Sequence, residues 1–143
     1  MNNDKQTSSK KRVGGSNKKE CARFVVNTNG TVFDNTTNLT WQQEIHGRTF
    51  NWKQAKEYAS QLNLGRYNDW RLPTKEELQS LVDFTRNNPA INLDCFPDTP
   101  SEGFWSSSQS ALNSSYAWFV SFYYGNANYG DVVDSSLWVR CVR

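Results

Sequence analysis

The sequence contains little of the chemistry from which most active sites are built. It has one histidine and three cysteines in 143 residues. The single histidine, His46, lies in no recognisable Ser-His-Asp motif and has no second His or Cys nearby in the sequence with which to form a transition-metal cluster. No glycine-rich phosphate loop or other cofactor motif is present. These absences predict a protein that is not an enzyme and that uses no cofactor.

The three cysteines, Cys21, Cys95 and Cys141, are odd in number and have no metal-like spacing. One disulfide with one free thiol is compatible with this pattern, and so are three reduced thiols. The sequence leaves both alternatives open.

Basic residues are missing from much of the C-terminal half, since residues 87–139 contain neither lysine nor arginine. The net charge is +2, but residues 1–20 hold six basic against two acidic side chains. Residues 21–143 hold ten basic against twelve acidic ones, so this part is mildly acidic. A nucleic-acid-binding domain needs a basic face on its folded part, and we therefore expect no nucleic acid partner.

The composition divides the chain into a tail and one domain. Residues 1–21 are rich in Lys, Ser, Asn and Gly and predict a disordered basic tail, whereas residues 22–143 have the length of a single folded domain. No apolar stretch is long enough to span a membrane, and the first residues lack the apolar core of a secretory signal. Either the protein is not exported by that route in this form, or a signal has been removed.

Capping residues and apolar spacing predict two helices. Asn51 precedes the first helix as N-cap, Gln54 occupies its capping-box position, and Gly65 is placed as its C-terminal stop. The second helix is predicted to run from Lys75 to about Thr85.

Short apolar runs predict the strands. Residues 22–26 and 31–34 flank an Asn-Gly pair, which is typical of a hairpin. We predict an α+β fold with two helices and a twisted, mostly antiparallel sheet, in which the N- and C-terminal strands lie near one another.

The sequence DWRLPTKEEL at residues 69–78 combines a turn, a large aromatic residue and a helix start. Thr74 and Glu77 form the capping box of the second helix. Trp70 and Leu72 have the spacing of one strand face, which predicts that both are buried.

Two arginines and three tryptophans are expected to hold the scaffold. Arg71 and Arg140 are candidates for internal ion pairs with Asp69 or Glu77. The predicted scaffold residues are Trp70, Arg71, Trp105, Trp118 and Arg140.

The segment DWRLPT, followed two residues later by Glu-Leu, resembles the signature of the C-terminal domain family of the Legionella collagen-like adhesin. FWSS at residues 104–107 and VRCVR at residues 139–143 resemble later parts of that family, and the similarity covers roughly residues 23–143. The resemblance implies a C-type-lectin-like fold, related to formylglycine-generating enzymes and to the variable proteins of diversity-generating retroelements. It also implies display on a cell or virion surface.

The sugar-binding calcium motifs of C-type lectins are absent. Neither Glu-Pro-Asn nor Gln-Pro-Asp occurs, and the order Asn-Asp-Trp at residues 68–70 is the reverse of Trp-Asn-Asp. The sequence therefore argues against calcium-dependent sugar binding, and we predict no metal site.

The segment from Ser106 to Ser136 has the composition of a binding surface, with nine Ser, four Tyr and three Asn. Tyr gives a large contact area at low entropic cost, while Ser and Asn give adaptable hydrogen bonds. Strand alternation places Trp118, Val120 and Phe122 on a buried face and leaves the intervening residues, such as Phe119, facing outward.

Residues 110–143 contain no Lys, Glu, Gln or Met. Retroelement diversification randomises adenines, typically in AAC codons, and its products exclude those four residues and Trp. The positions compatible with such codons form a candidate variable, ligand-binding face: Tyr116, Phe119, Ser121, Tyr123, Tyr124, Asn126, Asn128, Tyr129, Asp131, Val133, Asp134, Ser135 and Ser136.

Three functions are compatible with these observations. The favoured one is a binding module for an unknown protein or glycan, in its retroelement-diversified form. The second is a glycosaminoglycan-binding adhesin domain, and the third is an oxidase of the formylglycine-generating type, which needs two of the cysteines together in a cleft. The basic residues outside the tail that remain for a sulfated glycan are Lys53, Lys56, Arg66, Arg71 and Lys75.

Overall fold

The computed structural model describes residues 19–21 and 23–143. Within these residues two helices and seven strands form two antiparallel sheets, with strand orders β1-β2-β3-β4 and β5-β6-β7. This confirms the α+β class, with two small sheets in place of one twisted sheet. The elements are β1 Lys19–Cys21, β2 Phe24–Val26, β3 Thr31–Asp34, β4 Leu39–Gln42, α1 Trp52–Gln61, α2 Lys75–Gln79, β5 Gly103–Gln109, β6 Tyr116–Ser121 and β7 Ala127–Asp131.

The first strand lies inside the segment that composition assigns to the tail. Strand β1 pairs with β2 in antiparallel register, so folded structure includes residues 19–21. The rest of the predicted tail, residues 1–18, lies outside the described residues.

The Asn-Gly hairpin is confirmed between β2 and β3. Val26 pairs with Val32, and the Asn27 N–H donates to the Thr31 carbonyl across the turn at 2.9 Å. Gly30 closes this turn with a φ of 85°, a value that favours glycine.

Helix α1 begins as predicted. The Asn51 side chain accepts from the Gln54 N–H at 2.9 Å, and the Asn51 N–H donates to Gln54 Oε1 at 3.1 Å. The helix ends differently, because Leu62 is already extended at the C-cap. Gly65 instead takes a φ of 64° in the separate turn from Leu64 to Tyr67.

Helix α2 has the predicted capping box but is shorter than predicted. The Glu77 N–H donates to Thr74 Oγ1 at 3.1 Å, and the Thr74 N–H donates to Glu77 Oε1 at 2.8 Å. The helix ends at Gln79 and not near Thr85. The backbone beyond it finds other partners, since the Asp83 N–H donates to the Ala90 carbonyl at 2.9 Å.

The sheet β5-β6-β7 lies between two hydrophobic cores. Phe104 and Val120 belong to a core that also contains Trp41. The adjacent Trp105 belongs to a second core with Trp52. Successive side chains of a strand point to opposite faces, so this sheet is buried on both sides along much of its length.

The C-terminal segment, residues 137–143, joins the two sheets. Leu137 and Phe50 exchange both backbone hydrogen bonds, at 2.8 and 2.9 Å, and the Trp105 N–H donates to the Trp138 carbonyl at 3.0 Å. Val142 forms bridges with both Trp41 and Arg71. The C-terminal end of the chain therefore lies beside β4. This confirms the predicted proximity of the two ends of the domain, although the C-terminal segment forms isolated bridges and not a regular strand.

Arg140 is fully buried and is held by neutral acceptors. Its Nη1 donates to the carbonyl of Gln42 at 2.7 Å and to that of Gln43, and its Nη2 donates to Thr99 Oγ1 at 2.9 Å. Burial lowers the pKa of Arg140 to about 9, although the charge of Asp98 acts in the opposite direction. The predicted ion pair of Arg140 with Asp69 or Glu77 is wrong, because carbonyl groups surround the guanidinium.

The other predicted ion pair is confirmed. Arg71 contacts both carboxylate oxygens of Glu77, at 2.7 and 2.9 Å. Asp69 instead pairs with Arg143, whose Nε lies 2.5 Å from Asp69 Oδ1.

The structure describes the side chains of two of the three cysteines, and these differ in state. Cys95 is disulfide-bonded, and Cys141 is free and buried. Burial raises the pKa of the Cys141 thiol to about 12, so this thiol is protonated at neutral pH.

We expect Arg140→Met to destabilise the fold more than Arg143→Met. The first change leaves buried acceptors at Gln42, Gln43 and Thr99 without their donor, which costs about 3 kcal/mol or more of unfolding free energy. The second removes a surface ion pair in which the Asp69 side chain is 59% exposed. Urea denaturation of both variants measures the difference, and equal midpoints would contradict this assignment.

The ion pair at Glu77 predicts an acid-labile contribution to stability. The hydrogen bonds from Arg71 hold the pKa of Glu77 below its usual range. The stabilisation is therefore present above the unfolded-state pKa and is lost as pH falls through the lower folded-state pKa. Glu77→Gln keeps a capping-box side chain but removes the charge.

We expect the unfolding free energy of Glu77→Gln to fall less steeply than that of the wild type between pH 5 and about pH 3. Urea titrations across this range measure it. Parallel curves for the two proteins would refute the role given to this pair.

Candidate functional site

Strands β6 and β7 place three aromatic side chains on one face of the second sheet. Trp118 pairs with Tyr129, and Tyr116 pairs with Asp131. The ring centroids of Trp118 and Tyr129 are 4.3 Å apart, and those of Tyr116 and Tyr129 are 6.4 Å apart. Tyr116 and Tyr129 are 39% and 44% exposed. We call Tyr116, Trp118 and Tyr129 the aromatic platform.

Helix α2 adds a positive charge to the platform. The Nζ of Lys75 lies 4.1 Å from the centroid of the Trp118 ring, in cation–π contact. The Lys75 N–H donates to Ser108 Oγ at 3.0 Å, which attaches the start of the helix to strand β5. The ammonium group is thus positioned by both the helix and the sheet.

Asp131 lies beside the platform but is committed to a turn. Its Oδ1 accepts from the N–H groups of Val133 and Asp134, both at 2.9 Å. The hydrogen bonds from Asp134 and Val133 hold the pKa of the Asp131 carboxyl below its usual range. This side chain fixes the chain direction after β7.

The β6–β7 turn forms a second exposed aromatic group. Tyr123 and Tyr124 are 41% and 63% exposed, with ring centroids 4.4 Å apart. Gly125 has a φ of 92°, and a Cβ added there would lie 2.3 Å from Val82 Cγ1 and 3.4 Å from the Phe84 ring. The turn therefore packs closely on the loop that carries Phe84. We call Phe84, Tyr123 and Tyr124 the turn cluster.

Two other predicted face residues, Ser121 and Asn126, form hydrogen bonds that support the turn. Ser121 Oγ accepts from the Tyr123 N–H at 3.2 Å, and the Ser121 N–H donates to the Asn126 carbonyl at 2.8 Å. The side chain of Asn126 is exposed.

Two predicted face residues lie on the other side of the sheet. Phe119 packs edge-on against Trp105, with ring centroids 6.5 Å apart, and contacts the second core. Asn128 pairs with Phe119 and so points to the opposite face from Tyr129. The outward orientation predicted for Phe119 is wrong because a second core covers the face opposite the first.

The remaining predicted residues lie beyond the end of β7. Val133 is 70% exposed, and Asp134 is exposed too. The Ser136 hydroxyl donates to Thr49 Oγ1 at 2.6 Å, and Ser135 is half-buried. This loop begins at the end of β7 opposite the turn cluster, so the structure does not bring all the predicted residues together.

The predicted scaffold residues are buried with two exceptions. Trp70, Trp105 and Arg140 are at most 3% exposed. Arg71 is partly exposed in its ion pair. Trp118 is half-buried on the platform, where alternation had placed it on a buried face. The core on that side ends at Val120, which leaves Trp118 at its margin.

The sequence alone did not indicate two residues that contribute to the platform and to the turn cluster. Lys75 is not among the predicted face residues, because its place over Trp118 depends on how α2 packs. Phe84 is 79% exposed, because the helix that the sequence predicts through this residue ends at Gln79. The sequence feature that indicates an exposed Phe84 is its position as an isolated aromatic residue in the polar run DFTR, residues 83–86.

A separate basic groove lies between α1 and the Trp70–Thr74 segment. It has a volume of about 440 Å³, and Lys56 and Arg71 both line it. The Nζ of Lys56 lies 3.7 Å from the Trp52 ring centroid, while Arg71 is neutralised by Glu77. Two of the predicted sulfate-binding residues are thus brought together, and one of them is already paired.

Neither a metal site nor a membrane helix is found in residues 19–21 and 23–143. No group of three or more His, Cys, Asp or Glu side chains there is placed to hold a metal ion. No helix in the same part of the chain is long and apolar enough to cross a membrane.

Comparison with known proteins identifies the family. No curated protein matches the chain. Residues 30–143 match the family described as Lcl C-terminal domain, which covers most of the chain and includes the platform, the turn cluster and the basic groove. The match confirms the resemblance given by the segment at residues 69–78. The chain belongs to the Lcl C-terminal domain family.

Proposed function

We propose that this protein is a non-catalytic, adhesin-like binding module that holds a protein or glycan ligand on the aromatic platform and the turn cluster. The observation that carries the proposal is the group of Trp118, Tyr129 and Lys75 on an open sheet face. Aromatic rings with an adjacent cation offer stacking, hydroxyl hydrogen bonds and charge to one ligand. Such groups act as anchors in binding interfaces.

The packing beneath the platform supports this proposal. Ala117 and Val120 are fully buried on β6. On β7, a Cβ added to Gly130 would lie 2.9 Å from Trp105 Cη2, so the strand packs directly on that indole. Rings on strands held in this way lose little freedom on binding, which favours affinity.

The cysteines favour a binding role over an oxidase of the formylglycine-generating type. Such an oxidase uses a reactive pair of cysteines. Cys141 is buried with a pKa raised to about 12, and Cys95 is disulfide-bonded. A thiol of this kind is a poor nucleophile and a poor metal ligand.

A finer part of the proposal is that the exposed positions are diversified by a retroelement and that the domain is displayed on a cell or virion surface. The exposure of Tyr116, Tyr124, Asn126 and Val133 supports it, because changes there leave the core intact. Asp131 caps a turn, and we expect fewer substitutions to be tolerated there.

Sequencing the DNA that follows the gene tests diversification. We expect a near-repeat of codons 110–143 whose mismatches fall at adenines of the repeat, and we expect them at codons of exposed residues. Absence of a repeat would overturn diversification and would leave the binding proposal in place.

Trp118→Ala and Tyr129→Ala test the platform. The ligand is first identified on a glycan array or by screening surface proteins. Each substitution is then expected to weaken its binding about tenfold or more, as for central aromatic anchors. Tyr67→Ala is the matched control, because Tyr67 is 37% exposed and lies 3.8 Å from the Arg143 guanidinium in a similar cation–π pair.

A glycosaminoglycan-binding adhesin domain is the second candidate, and the basic groove is the observation in its favour. Retention on heparin that falls with salt and with Lys56→Gln, but not with Trp118→Ala, would favour this candidate over the platform.

In the platform test, equal losses of ligand affinity in Trp118→Ala and in the control Tyr67→Ala would contradict the platform proposal.

A further inference from the structure

A cleft of about 610 Å³ is formed by elements that contribute nothing to the platform. Its walls are the β2–β3 turn, the segment that follows β4, and α1 with the residues after it. This volume is in the usual range for small-molecule sites. A Cβ added to Gly30 would lie 3.1 Å from Leu64 Cδ1, so the turn and the segment after α1 meet closely at one side of the cleft.

Several lining side chains are committed to the fold and make the walls rigid. Gln42 Nε2 donates to the Tyr58 hydroxyl at 2.8 Å, while Gln42 Oε1 accepts from the Cys141 N–H at 2.9 Å. Gln43 Nε2 donates to the Cys95 carbonyl at 3.1 Å. These amides tie the cleft to the C-terminal segment and to the loop before β5.

Other lining groups have hydrogen-bonding capacity to spare. Within residues 23–143, the side chains of Thr28, Glu44 and His46 make no hydrogen bond with the protein, although all three line the cleft. The Tyr58 hydroxyl accepts from Gln42, and its own proton has no acceptor in that part of the chain. A hydroxyl, a carboxylate, an imidazole and a phenol are thus available around one space.

The rest of the lining is apolar or aromatic. Ile45, Leu62 and Leu64 contribute aliphatic surface. The His46 ring lies 5.6 Å from the Tyr58 ring, between centroids, and adds a planar surface. The cleft therefore matches a ligand that has both hydroxyl groups and exposed C–H groups.

The charges of the lining disfavour anionic ligands. Among residues 23–143, no Lys or Arg lines the cleft, and Glu44 is the one acidic residue of its lining. Arg48 is not part of the lining. Its guanidinium lies over the Phe50 ring, 4.7 Å from the ring centroid, and the Phe50 ring stacks on that of Tyr58 with 5.1 Å between the centroids. A sulfate or carboxylate on the ligand would meet the Glu44 carboxylate without a compensating cation in the lining.

We infer that this cleft is a second binding site, which takes one ring of a neutral saccharide. Glu44 accepts hydrogen bonds from sugar hydroxyls, the Tyr58 hydroxyl donates one, and Ile45 and Leu62 contact the C–H face of the ring. The site is independent of the aromatic platform and of the ligand bound there.

The test is a titration of the ¹⁵N-labelled protein with glucose, galactose, mannose and N-acetylglucosamine, followed by amide chemical shifts. We expect one of them to shift the amides of Thr28, Gln43 and His46 with a dissociation constant on the order of 1 mM, typical for a ligand of this size. Glu44→Gln is expected to weaken this binding roughly fivefold or more by loss of a charged acceptor. Glu44 is exposed and unbonded within residues 23–143, so this variant keeps the fold.

Trp118→Ala is the control, since it damages the platform and leaves the cleft intact. It is expected to bind the sugar as the wild type does, so the two proposals fail separately. Absence of shifts at the lining residues with all four sugars would overturn the inference, and so would equal affinity in Glu44→Gln. Glucosamine is titrated as a fifth compound, and shifts with glucosamine but with none of the four neutral sugars would also overturn the inference, because they would identify a site for amines.

Discussion

The buried guanidinium of Arg140 is the contact on which the rest of the structure depends. It binds two carbonyl groups at the end of β4 and the hydroxyl of Thr99, and it lies 4.8 Å from the Phe96 ring centroid. A buried cation is costly without hydrogen-bond partners, so the positions of these three acceptors are tightly constrained. This constraint fixes the C-terminal segment, whose backbone pairs with both sheets. The position of strand β5, and of the platform beyond it, follows from that pairing.

The fold separates a fixed part from an exposed part on the same strands. Buried residues of β6 hold the sheet between two cores, while Tyr116, Trp118 and Tyr129 extend past the margin of one core. The capping box of α2 places Lys75 at the edge of this face. Under the proposed function, substitutions at the exposed positions would change the ligand-binding chemistry without disturbing the packing below, which is the arrangement expected of an adhesin-like binding domain.

The sequence predicted what depends on local chemistry. The caps at Asn51 and Thr74 and the hairpin at residues 29–30 follow from side chains near their own backbone. The orientation of Phe119 and the end of α2 depend on distant parts of the chain, namely a second core and the pairing of residues 83–90 with the β6–β7 turn. Alternation along a strand cannot reveal that both faces are covered. The sequence did not indicate the partners of Arg140 either, because two of them are backbone carbonyl groups, which every residue provides.

The central claim is that ligand binds to the platform on a scaffold that does not move. Amide hydrogen exchange, compared with and without the ligand recovered from the glycan array or protein screen, tests it most directly. The account predicts slower exchange within residues 116–131 and unchanged exchange at residues 137–143. Slower exchange confined to residues 53–75, with none in the β6–β7 hairpin, would contradict it and would place the ligand in the basic groove.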